Sequence, residues 1–252
     1  MEQITKQELA EISGAVHKTE TFGAVDGPGI RYVFFLQGCQ LRCLYCHNPD
    51  SIPNTGGTTW TAGQVVKEVL RYKSFIKSGG VTFSGGDPLL QPQFVYAAAT
   101  LLKDEGIHTA IDISGAQDPA ATDTQKAIDA ADLILLDIKA WNDEVAKALT
   151  GRDTKHSLAT LDYCEAAGKN VWIRHVLLSG YTLDDTQLAA MADHLTSYKC
   201  VQRVELLPFH KLGEPKWQGL RQKYLLADTP ATTKAQTEHA KAIFSARGLQ
   251  VQ

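Results

Sequence analysis

No stretch of this 252-residue chain approaches the ~20 consecutive apolar residues of a bilayer-spanning helix, and Met1-Glu2-Gln3-Ile4-Thr5-Lys6 lacks the apolar core of a secretory leader. A cytoplasmic protein without a membrane partner is expected. Basic charge is not in surplus either. Lys and Arg number 25 against 28 Asp and Glu, a net charge of −3, which offers no field for a phosphate backbone and argues against nucleic acid as a main partner. Cysteine is scarce, with five in all. So few thiols, odd in number and without a leader, do not make a disulfide framework. Internal repeats, low-complexity tracts and linkers are also lacking. Residues 1–252 are therefore expected to form one domain with a substantial core, with 1–22 as a lead-in.

The few cysteines are concentrated. Cys39, Cys43 and Cys46 fall in one loop, Gly-Cys-Gln-Leu-Arg-Cys-Leu-Tyr-Cys-His-Asn-Pro, over residues 38–49. The spacing C-x3-C-x2-C lets three thiolates meet one inorganic centre without a fourth protein ligand nearby. Thiolates are the soft ligands of iron-sulfur clusters, and a four-iron cubane held by three of them keeps one iron open for chemistry. Two quieter readings stand beside this one: a zinc knuckle closed by His47, and a non-catalytic iron-sulfur module. Cys164, on an amphipathic helix, is read as a small buried apolar residue, Cys200 lacks a thiol partner nearby in sequence, and neither is assigned to the cluster.

Around the loop the chain alternates strand and helix. Apolar runs predict strands over 32–36, 81–84, 109–113, 133–138, 171–177 and 204–207. Amphipathic patterns predict helices over 62–77, 93–105, 123–130, 157–167 and 185–198, with a short helix at 5–12 and an outer helix at 232–247. This is the pattern of βαβ units and a parallel sheet. Six units are fewer than the eight of a closed barrel, so the expected class is α/β, an open partial (β/α)6 barrel with parallel strands. Spacing alone leaves a doubly wound sheet open. In both, ligands collect at the carboxyl ends of the strands.

Several residues at those ends stand out. Gly86, in Ser84-Gly85-Gly86-Asp87-Pro88, lets a backbone approach a ligand closely, while Asp87 either reaches that ligand or caps the next segment. Asp112 and Asp137 end apolar strands, where a carboxylate is costly unless paired or ligated. Asp137 has a possible internal partner in Lys139. Arg174 needs a carboxylate, from a bound cofactor, Asp87 or Glu205. Asp26-Gly27-Pro28-Gly29 is a tight turn ahead of the first strand.

Tyr45 before Cys46 makes the loop resemble the cluster loop of the radical S-adenosylmethionine enzymes. The block from Asp26-Gly27-Pro28-Gly29-Ile30-Arg31 through Gln37-Gly38-Cys39 to His47-Asn48 resembles their glycyl-radical-activating branch. The resemblance implies the partial-barrel fold and a [4Fe-4S] cluster on Cys39, Cys43 and Cys46, whose open iron chelates the amino and carboxylate groups of S-adenosylmethionine. It implies cofactor contacts from Tyr45, Cys46, His47, Gly86, Asp137, Ile138, Lys139, Arg174 and His210. It also implies one from Asp87, which stands where relatives carry glutamate. A monovalent cation would sit at Asp112 and Asp137, and Asp26 would touch the substrate protein. Reductive cleavage then yields methionine and a 5'-deoxyadenosyl radical that takes a hydrogen from a glycine Cα. The stretch 206–217 resembles the activases of pyruvate formate-lyase, with another glycyl radical enzyme, such as anaerobic ribonucleotide reductase, as the alternative partner. Flavodoxin or ferredoxin would supply the electron to a monomeric enzyme of anaerobic glucose metabolism. Residues 47–80 carry no cysteine beyond the loop, as in the short, single-cluster activases.

Overall fold

The structure is a computed structural model and describes residues 4–252. Its strands are β1 (Ser13–Gly23), β2 (Arg31–Leu36), β3 (Thr58–Thr61), β4 (Gly80–Gly85), β5 (Thr109–Ile113), β6 (Leu133–Asp137), β7 (Asn170–Leu177) and β8 (Val201–Pro208). Its helices are α1 (Lys6–Glu11), α2 (Ala62–Leu70), α3 (Pro92–Asp104), α4 (Thr122–Ala130), α5 (Asp143–Thr150), α6 (Lys155–Ala166), α7 (Asp185–Leu195), α8 (Glu214–Gly219) and α9 (Lys234–Ser245). The strand order is β3-β1-β2-β4-β5-β6-β7-β8, an open α/β sheet with β3 and β8 as its edges. The expected strands are β2 and β4 to β8. The pairs β2–β4, β4–β5 and β7–β8 are parallel, while β1 runs antiparallel to both β2 and β3. The expected lead-in is therefore a sheet strand over much of its length. No helix among the described residues is long and apolar enough to cross a membrane.

Contacts divide the chain into two compact units. The first takes residues up to Gln40 with Ser51–Ile113 and Gln117–Leu135; the second takes Leu41–Asp50, Ser114–Ala116 and Leu136–Gln252. In the first, the core lies on β2 and β4, which are buried on both faces at nearly every residue. Phe34 stacks on Phe83 with ring centroids 5.6 Å apart, and Phe94 of α3 meets Phe83 edge-on at 6.4 Å. Arg31, fully buried at the start of β2, donates to Thr82 and to the carbonyls of Val81 and Pro28. Burial pushes its guanidinium down to about 10, against the opposing pull of Asp26 and Asp132. The helix expected to run to residue 77 stops at Leu70. Tyr72 and Phe75 then continue as single turns bonded three residues back, and Lys73 donates to the Glu105 carbonyl at 2.6 Å.

The second unit contains the end of β6, then β7 and β8 with α5 to α9. β7 and β8 pair in parallel with one register shift after Val171, and Arg174 falls opposite Glu205. Leu188, Met191 and Leu195 of α7 and Phe244 of α9 are buried in its core. The chain end returns to the sheet, with Val251 bridging to Val204.

Candidate active site

The first unit places Cys39, Gly86, Asp87 and Asp112 at the carboxyl ends of β2, β4 and β5. Beyond β2, the amides of Gly38 and Cys39 donate to the carbonyls of Ser51 at 2.7 Å and Ile52 at 3.0 Å. The β4 end is pressed against this turn. Asp87 N–H donates to the Gly38 carbonyl at 2.8 Å, and a Cβ on Gly86 would lie 2.0 Å from that oxygen. Gly86 is thus demanded by the neighbouring backbone of Gly38. Asp87 is wholly buried, and its Oδ1 accepts from Leu89 N–H at 3.0 Å, capping a 3-10 turn over Pro88–Leu90. The capping reading of this carboxylate holds. Asp112 Oδ2 accepts from Ser84 Oγ at 2.7 Å. Asp26 sits at the other end of β2, about 20 Å along the strand at the usual rise per residue, where its carbonyl accepts from Thr82 Oγ1 at 2.6 Å.

The second unit holds Cys43, Tyr45, Cys46, His47, Asp137, Ile138, Lys139, Arg174 and His210. Here the cysteine loop is anchored at both of its flanks. Arg42 and Leu44 amides donate to the carbonyls of Thr150 at 2.8 Å and Leu149 at 3.0 Å, which are among the carbonyls that α5 leaves without intrahelical donors. On the other side, Trp217 Nε1 donates to the Cys46 carbonyl at 2.9 Å, and Lys216 Nζ to Asn48 Oδ1 at 2.7 Å. His47 stacks on His210 with centroids 4.5 Å apart, and its Nε2 donates to the His210 carbonyl at 3.3 Å. Gly213 has to be glycine for this approach, since a Cβ there would fall 2.8 Å from His47 Cδ2 and 3.0 Å from the Cys46 carbonyl. Neither α5 nor the role of residues 213–217 was read from the sequence. The caps Asn142 and Gly151, which flank α5, were the available sign.

The little-exposed charges at the strand ends of this unit are paired. Lys139 Nζ lies 2.7 Å from Asp137 Oδ2 and 5.8 Å from the centre of the Tyr45 ring. Burial works to lower the lysine, but Asp137, Tyr45 and Cys43 together hold it well above its ordinary value. The internal Asp137–Lys139 pair therefore exists. Arg174 Nε stands 3.4 Å from Glu205 Oε2, with side chains 12 % and 11 % exposed, so Glu205 is the arginine's carboxylate within its own unit. His175 is buried, and its Nδ1 donates to the Ile138 carbonyl at 2.6 Å.

The donor set suits a soft metal cluster. Cys43 is buried and Cys46 half-buried, joined by a turn in which Cys46 N–H donates to the Cys43 carbonyl at 3.0 Å. Burial pushes the Cys43 thiol up to about 12, with Lys139 opposing the rise. Such a group becomes a thiolate when bound iron supplies the charge. Among the described residues, no group of three His, Cys, Asp or Glu side chains is placed to hold a single metal ion. A cubane makes a different demand, because each thiolate binds its own iron.

Similarity to known proteins agrees with this chemistry. Residues 33–192 match the radical SAM superfamily. The pyruvate formate-lyase-activating enzyme of Streptococcus mutans is 43 % identical over 247 residues, covering 95 % of this chain and 94 % of its own. The pyruvate formate-lyase 1-activating enzyme of Escherichia coli is 37 % identical over 245 residues, covering 95 % and 98 %. Among solved structures, QueE from Escherichia coli shares the fold, with a TM-score of 0.58 over 99 % of this chain and 98 % of its own at 12 % identity. The cysteine loop lies inside the matched region, the sheet has the open α/β form, and kinship extends over nearly the full length, so this chain belongs to the radical SAM superfamily and, within it, to the pyruvate formate-lyase-activating enzymes.

Proposed function

We infer that this chain activates pyruvate formate-lyase under anaerobic conditions by generating a glycyl radical on it. The observation that carries this is near-full-length kinship with activating enzymes, joined to the C-x3-C-x2-C loop. When bound, a [4Fe-4S] cluster supplies one electron to the carbon-sulfur bond of S-adenosylmethionine, giving methionine and a 5'-deoxyadenosyl radical that removes one hydrogen from a glycine Cα.

Cys39, Cys43 and Cys46 hold that cluster. Tyr45, Cys46 and His47 border it from the loop, and the stacking of His47 on His210 fixes both rings. Gly86 and Asp87 present backbone to the cofactor's amino group; the cap made by Asp87 keeps that backbone rigid. Asp137, Ile138 and Lys139 line the cofactor, and Arg174 faces its carboxylate while keeping Glu205 as a structural partner. Asp112 and Asp137 are the carboxylates for a monovalent cation. Asp26 touches the substrate protein at the end of β2 opposite the cysteines. The whole chain works as one radical S-adenosylmethionine domain, as a cytoplasmic monomer, with flavodoxin or ferredoxin as electron donor.

The ligand assignment is tested by single Cys39→Ala, Cys43→Ala and Cys46→Ala variants, reconstituted anaerobically with iron and sulfide. Each should lose the cluster's visible absorption and cleave no S-adenosylmethionine. Cleavage retained by any one of them would remove that cysteine from the set.

A further inference from the structure

Residues 210–227 form a lobe that the reaction chemistry leaves unexplained. It is fastened to the cysteine loop by the Trp217–Cys46 and Lys216–Asn48 hydrogen bonds and the His47–His210 stack. In a chain of net charge −3, this stretch carries Lys211, Arg221 and Lys223 against Glu214, while its Lys216 is paired with Asp50 at 3.4 Å. It also exposes apolar side chains. Leu212 is 80 % exposed, Leu220 42 % and Leu225 62 %, although Leu225 lies between the buried Tyr224 and Leu226. Apolar groups set among charges of one sign are the features of a protein-docking surface rather than of plain solvated surface.

A second observation concerns Arg221. Among the described residues it alone has a positive φ without being glycine, at 54°. It follows the last turn of α8, where Gln222 N–H donates to the Trp217 carbonyl at 3.0 Å. Glycine is the favoured residue at such a helix end, because an L side chain in the left-handed region crowds its own backbone. An exposed arginine held there at a conformational cost suggests that its side chain is used outside the fold.

We propose that this lobe is where an acidic one-electron carrier protein docks. The inference rests on the activase reading, since reductive cleavage consumes one electron per turnover that the chain's own residues do not supply. The carrier is oxidised by one electron, and that electron ends in the broken carbon-sulfur bond. Electron transfer falls steeply with distance, so the carrier must bind over the cysteine loop, and this lobe contacts that loop directly at Cys46. The basic side chains steer an acidic partner to it, and the exposed leucines hold the encounter.

The test measures binding of an acidic flavodoxin to the native, cluster-loaded protein and to Arg221→Gly and Lys223→Glu variants, at low and high salt. Activation of pyruvate formate-lyase is followed in parallel with reduced flavodoxin or with dithionite as reductant. Each variant should bind flavodoxin roughly five- to tenfold more weakly, with a shallower salt dependence. Activation driven by flavodoxin should fall, and activation driven by dithionite should not. Arg221→Gly should keep or raise the thermal midpoint, because it relieves the left-handed arginine, so weakened binding there cannot come from damage to the fold. Unchanged flavodoxin binding in both variants would overturn the proposal. An equal loss with dithionite would also overturn it, and would assign the lobe to pyruvate formate-lyase. If the native protein makes no radical even with dithionite yet binds flavodoxin through Arg221, the activase reading fails and the docking surface stands.

Discussion

Single side chains in this site mostly hold one another before they hold anything else. Asp87 caps a turn, Asp137 pairs with Lys139, and Arg174 faces Glu205. Removing one member of a buried pair leaves a charge uncompensated, so such positions report on stability as well as chemistry. His175 offers a separate handle. Burial lowers its pKa, against the raising effect of backbone bonds at Ile138 and Thr182 and of nearby Asp137, with Lys139 adding to the lowering. The unfolded chain therefore takes up this proton first, near its ordinary value of about 6.5. The stability linked to it is fully present above that pH and is lost as pH falls toward the lowered folded pKa, by at most about 1.4 kcal/mol per pH unit. Urea unfolding at pH 7 and pH 5 should give a smaller difference for His175→Asn than for the native protein. Equal differences in the two would count against a neutral, buried His175.

Among elements, the loop that carries the cysteines is held by pieces distant in sequence. The end of α5 receives Arg42 and Leu44, and residues 213–217 grip Cys46 and Asn48. Gly213→Ala should push that segment off His47 and Cys46. Iron should leave the reconstituted variant faster, on the order of tenfold by analogy with other supporting contacts around metal sites, while far-ultraviolet circular dichroism stays native. Native iron retention would contradict a supporting role for this contact. The elements differ in how legible they were. β2 and β4 to β8 are apolar runs bounded by turn residues, and Leu133 to Leu136 is buried throughout, so pattern alone located them. β1 carries Lys18-Thr19-Glu20-Thr21 on an exposed stretch and has two register shifts against β2, which erase the alternation a strand ordinarily displays. β3 spans only Thr58–Thr61, too short for a period to be recognised. Within the site, the cysteines and strand-end carboxylates were legible because their chemistry is costly without partners. Trp217 was not, because a tryptophan reaching a backbone carbonyl leaves no spacing rule behind.

Taken together, the strand order, the cysteine loop and the kinship with activating enzymes describe one reaction on one partner protein. A reductant, the substrate protein and S-adenosylmethionine are all needed before that reaction is visible. The most direct test is the anaerobic electron paramagnetic resonance spectrum of pyruvate formate-lyase incubated with the reconstituted protein, dithionite and S-adenosylmethionine. The expected result is a glycyl radical doublet that requires this protein and vanishes with the Cys43→Ala variant. No doublet, with the cluster intact and a pyruvate formate-lyase that a known activase does convert, would contradict the assignment.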